Sequence, residues 1–156
     1  MSLAAKLRRA PVRIATGAFI LNSGLSKLKG DEQTAKGVHG MAVGAYPFLK
    51  KIEPNTFLKA LGVVETTLGA TLLLPLVPAG LAGLALSGFA TALVGLYVRT
   101  PALHDAYMRP TQGGVGIAKD IWMASIGYGL VIDAALSESP VTRDGGIENS
   151  LRHITG

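Results

Sequence analysis

The sequence predicts an all-α fold, a four-helix transmembrane bundle with an amphipathic segment between helices 1 and 2. Three observations carry that expectation. Apolar residues fill 49% of the 156 positions and charged residues 16%, with a mean hydropathy of +0.39. So small a chain cannot bury that much apolar surface in one core. Four stretches approach the roughly 20 apolar residues that a helix needs to cross about 30 Å of hydrocarbon. The net charge of +5 sits in short clusters beside those stretches, which suits anionic headgroups and argues against nucleic acid.

The first span is expected over about 12–28, bracketed by Arg13 and Lys27. It follows a basic segment, but Asn22 and Ser23 interrupt its apolar run and no A-x-A site follows, so it reads as an uncleaved span. After it, Val38, Met41, Ala42, Ala45, Tyr46 and Leu49 recur at a helical period. They form an amphipathic segment lying on the membrane or folded into the bundle mouth. Gly37, Gly40, Gly44 and Pro47 count against a regular helix there.

The second and third spans are expected over 58–76 and 79–98, with only a short proline-bearing link between them. Pro75 and Pro78 end one helix and start the next. So short a link makes the two an antiparallel hairpin. The segment 99–115 reads as loop with one short turn. The fourth span is expected over 116–137, with Lys119 and Asp120 at one end and Asp133 near the other. Residues 1–137 thus form one membrane domain, and 138–156 a polar tail. Both chain ends share one side and the two long links the other. Lysines and arginines are more numerous on the link side, whereas the basic flank of the first helix argues the reverse, so orientation stays open.

With no cysteine, the chain has no disulfide, thiolate nucleophile or iron–sulfur ligand. The informative polar residue is Glu65, inside the second span. Counted at about 1.5 Å per residue, Glu65 lies about 10 Å deep from the link side, Asn22 about 8 Å and Lys119 about 5 Å. Glu65, Asn22, Lys27, Lys119 and Asp120 therefore converge in one polar pocket below the long links, where Glu65 pairs with Lys119 or Lys27. Two readings of Glu65 stand side by side: a carboxyl that only fixes helix packing, or a ligand- or proton-handling group. Lys27 and Lys119 also read as lysines snorkelling to headgroups, and Asp133 as a solvated helix end.

Small residues at four-residue spacing suggest close packing: Gly62, Thr66 and Ala70; Gly83, Ser87, Thr91 and Gly95; Ser125, Gly129 and Asp133. They predict a tight bundle without a wide channel. His39 and His104 share a membrane side but lack metal-ligand spacing, so no metal is expected. Tyr46, Tyr97, Tyr107 and Trp122 read as interfacial anchors. The stretch "QGGVG" lacks the lysine and preceding strand of a phosphate loop. No catalytic signature is present, and catalytic residues stay unknown.

Three stretches resemble the DoxX family of small four-helix bacterial membrane proteins. "RIATGAFILNSGLSKL" is similar to that family's opening arginine, glycine and closing G-x-x-K-L. "ALGVVETTLGATLLL" is similar to its glycine–glutamate–glycine second helix, and "KDIWMASIGYGL" to its lysine-led final helix. The resemblance places Arg13, Lys27, Glu65 and Lys119 on the family's recurring polar positions, with Asp120 where asparagine is usual. It implies a multi-pass protein of the bacterial cell membrane, among lipid and other protein subunits or copies of itself. It also implies an accessory role in a membrane redox or envelope complex rather than self-contained catalysis. Quinone is the candidate cofactor, at the Glu65 pocket. The alternatives are a non-catalytic docking scaffold and a small-molecule or lipid carrier, the latter disfavoured by the tight packing expected.

Overall fold

The first helix, α1 (Leu3–Leu28), begins nine residues before the expected span and runs straight through Pro11. Ala4, Ala5, Leu7 and Ala10 are strong helix formers. Arg8 and Arg9 fasten this early part by pairing with Asp133 near the far end of the chain. This is a computed structural model describing residues 3–138, and among those residues every regular element is helical. The expected polar tail over 138–156 lies outside the described residues, apart from Glu138, which ends the last helix.

A regular helix, α2 (Glu32–Ala45), follows despite its three glycines, and the Asp31 carboxylate caps it by accepting from the Thr34 amide at 2.8 Å. That bond holds the Asp31 carboxyl below its ordinary range. A short 3-10 turn, Pro47–Lys51, leads on to α3 (Pro54–Leu73). Here Pro54 occupies the first turn and Glu53 accepts from the amides of Asn55 and Thr56. After the tight turn come α4 (Ala79–Arg99), a single turn α5 (Val115–Ala118) and α6 (Asp120–Glu138). Between α5 and α6 the chain tightens at Lys119, whose carbonyl accepts from the Trp122 amide three residues on.

Three helical segments are long and apolar enough to cross a membrane: Pro54–Leu73, Ala79–Arg99 and Val115–Ser137. The first helix, though longest at 26 residues, does not reach that mark. Arg13, Asn22 and Lys27 lower its hydropathy.

The long helices pack as two antiparallel pairs, α1 with α3 and α4 with α6, with sparser contact between the pairs. Small residues set the closeness inside each pair. A Cβ on Gly24 would stand 2.5 Å from the Thr66 amide nitrogen, and one on Gly83 would stand 2.8 Å from the Gly127 carbonyl. The stripe on α6 therefore runs through Gly127 rather than the expected Gly129, which meets nothing within 4 Å. On α3 it runs through Gly62 and Gly69, in place of Ala70. Large apolar side chains lie on both sides of the bundle wall. The buried face of α4 combines small residues, Ala79, Ala82, Gly83 and Ala90, with Leu86, which joins Ile20, Leu68, Leu72 and Leu130 in the core, while Leu81, Leu84, Trp122, Ile132 and Leu136 are exposed.

Candidate functional site

Glu65 is buried, 5% exposed, and its Oε2 lies 2.8 Å from the Lys27 Nζ. The same ammonium donates to the Ser23 hydroxyl one turn earlier, also at 2.8 Å. Two donations from one flexible side chain fix it against α3, so the two partners open to Glu65 resolve to Lys27. Lys119 is held differently. Its Nζ sits 4.7 Å above the centroid of the Phe19 ring, a cation–π contact between the start of α6 and the middle of α1.

Asp120 is buried as well, 4% exposed. It lies close enough to feel the charges of Lys119, Glu65 and Lys27. Among the described residues, no hydrogen bond or ion pair reaches its carboxylate. The tightened turn at Lys119 explains the contrast between these neighbours: Lys119 stays at the edge while Asp120 faces inward. Asn22 does not join the group. It is exposed, because one step along a helix turns a side chain by about 100°, and Ser23 takes the inward place. Four of the five expected residues therefore gather, and Ser23 replaces the fifth. Its spacing of four from Lys27 was the available signal.

These groups line one side of a cavity of about 880 Å³ between the two helix pairs. The rest of its wall is mostly apolar, with Phe19 and Ile20 from α1, Leu61 and Val64 from α3, Phe89 and Leu93 from α4, and Met123 from α6, beside the hydroxyl-bearing Thr34 and Tyr46. The amphipathic face of α2 and the turn after it cover it, for Val38, Met41 and Ala42 of α2 and Tyr46 and Leu49 beyond its end all contribute to the lining. The cavity corrects the expected tight interior. Glycine contacts draw the helices together within each pair, whereas Phe19, Phe89 and Met123 stand between the pairs.

Other expected roles change with this geometry. Tyr46 donates to the Ala92 carbonyl at 2.8 Å, and Tyr97, which is buried, to that of Met108 at 2.9 Å. Both pin segments of the link side, while Tyr107 and Trp122 are exposed. His39 contacts the Leu49 carbonyl and the Phe57 ring. His104 contacts the Val98 and Asp105 carbonyls and the Tyr97 ring. Each histidine thus has its own local partners, and no cluster of three metal-ligating side chains occurs among the described residues.

Arg13 belongs elsewhere. Buried at 8% exposure, it donates to the carbonyls of Thr71, Leu72, Leu74 and Val77 at 2.8–3.1 Å. It thereby satisfies the end of α3 and the turn into α4, carbonyls that a helix terminus leaves free. Asp133, expected to be solvated, instead binds Arg8 and Arg9. Both ties lie at the opposite end of the helices from Glu65, so their chemistry is structural. No family model, no curated protein and no solved structure matches this chain.

Proposed function

We propose that all four long helices cross the bilayer, and that the protein is a DoxX-like accessory subunit of the bacterial cell membrane holding a quinone-type molecule in its cavity. Support for the fourth crossing comes from how α1 disposes of its charges. Arg9, Arg13 and Lys27 turn toward α3, α6 and the α3–α4 turn, where each finds acceptors. The outer face carries Leu7, Ile14 and Leu25, all exposed. Charges compensated inside a bundle no longer oppose insertion as isolated ones do.

The cavity carries the functional reading. Its volume of about 880 Å³ lies within the range of small-molecule sites, and such sites pair an apolar wall with a few polar groups. An aromatic head with oxygen substituents would lie toward Lys119 and Asp120, and an apolar tail along Leu61, Phe89 and Leu93. Glu65 supports the site by holding Lys27 in place. Other protein subunits, or copies of this chain, would supply the electron chemistry that no group here provides.

The test is native mass spectrometry of the protein gently extracted from its own membranes, scoring bound quinone and bound subunits together. Near-stoichiometric quinone or its reduced quinol, lost when Leu93→Trp fills the cavity, is the expected result. Neither form being more abundant than in bulk lipid would remove this reading. A carrier is the second reading. It is favoured by Phe19, a cavity-lining side chain that is itself 52% exposed, so that the cavity is open on that side, and vesicle uptake abolished by Leu93→Trp would select it.

A further inference from the structure

The Asp120 carboxylate is the unexplained group in the cavity. It is 4% exposed, contributes to the wall, and has no hydrogen-bond or ion-pair partner among the described residues. Glu65, the other buried acid there, is occupied by Lys27. Lys119, the residue before Asp120, directs its ammonium onto the Phe19 ring. Withdrawing a carboxylate from solvent is costly unless donors replace the water it loses. The mostly apolar remainder of the wall offers it none.

We infer that Asp120 is the recognition group of the cavity, and that its ligand is an apolar molecule bearing a hydroxyl that donates to the Asp120 carboxylate. The inference rests on the cavity being a ligand site, as proposed above, and specifies the head group. Of a quinone/quinol pair, the form held is the quinol, because a quinone carbonyl only accepts. The hydrogen bond is charge-assisted and lies in a mostly apolar cavity, a setting that strengthens it. Phe19 lies in the same wall, and the apolar side chains receive the tail. Glu65 makes no direct contact with the ligand in this arrangement.

The experiment uses the full chain in lipid nanodiscs and three probes with one tail: 4-decylphenol, its methyl ether 4-decylanisole, and the ketone 4-decylacetophenone. They are offered together at equal concentration, and bound molecules are counted by native mass spectrometry against empty nanodiscs. The phenol is expected to exceed both others by about tenfold, the ratio a hydrogen bond to a charged group supplies. Asp120→Leu should bind the ether as before and lose the preference. Asp120→Asn, a closer replacement should the leucine variant fail to fold, should keep the phenol and raise the ketone to match it, because the amide adds a donor. Equal binding of phenol and ether, equal binding of phenol and ketone by the unaltered protein, or a phenol preference that survives in Asp120→Leu would each overturn the inference while leaving the cavity reading intact. If none of the probes exceeds the empty nanodiscs, the cavity reading fails and this inference falls with it.

Discussion

The ammonium of Lys27 and the carboxylate of Glu65 meet at 2.8 Å across the α1–α3 contact, and both side chains are largely withdrawn from solvent. Neither charge has another ionic partner among the described residues. Removing one leaves the other buried and unpaired, at a cost of about 3–5 kcal/mol, whereas replacing both with apolar groups of similar size is often neutral. Lys27→Met alone should therefore lower thermal stability in detergent far more than Lys27→Met with Glu65→Leu. If the double variant proved as unstable as the single, the pair would not be the source of the effect.

Arg13 makes a second prediction. Four carbonyls share one guanidinium, a geometry that depends on its planar fork of donors. A lysine carries the charge but reaches fewer acceptors, so Arg13→Lys should cost about 3–6 kcal/mol, the loss of two or so charge-assisted bonds. Amide exchange should accelerate around Leu74 and Val77 and stay unchanged around Glu65. Wild-type exchange at the turn would count against the clamp.

Glycines on different faces should respond with opposite signs. Gly24→Ala would place a methyl group against the Thr66 backbone, and overpacking of this kind costs about 1–3 kcal/mol. Gly40 lies on α2 with nothing within 4 Å of an added Cβ. There Gly40→Ala should raise stability by about 0.5–1 kcal/mol through helix propensity alone. Melting temperatures of the two variants, measured side by side in one detergent, check both signs.

Acid should loosen the start of α3 selectively. The amides of Asn55 and Thr56 donate to Glu53, holding its carboxyl below its ordinary value of 4.5. A depressed folded pKa gives a contribution fully present above the unfolded value and lost as pH falls through the folded one. Exchange protection of the Asn55 and Thr56 amides, corrected for the intrinsic pH dependence of exchange, should decline on acidification below that range. Glu53→Gln should show no such decline.

Much of this architecture is written in local pattern. A charge-free run marks α4, and apolar runs interrupted by only a few charges mark α3 and α6 within a few positions, while a period near 3.6 marks the face of α2 that covers the cavity. Glu65, Lys27, Lys119 and Asp120 converge because depth along a helix follows from residue counting. What counting omits is rotation about the helix axis. Asn22 and Ser23 lie at nearly the same depth, but only Ser23 faces inward, and the same uncertainty shifted the α6 contact from Gly129 to Gly127. The cavity was illegible for a different reason. Glycine spacing says which helices approach closely, but not that two close pairs will stand apart from each other. The long reach of Arg8 and Arg9 to Asp133 is likewise invisible to any local window.

The disposition of charge on α1 also bears on biogenesis. A ribosome delivers this helix first, when none of its counterparts has yet been made. Lys27 must await Glu65, Arg13 must await the turn at Val77, and Arg9 must await Asp133, which arrives last. Under the four-crossing reading, α1 is thus accommodated later than the helices that follow it, and a chain stopped after α4 would lack the Asp133 carboxylate that Arg9 binds. On that reading, membrane integration of α1 is a late event. Glycosylation-site mapping of truncated chains would register it as a first segment that settles across the bilayer only once α6 has been translated.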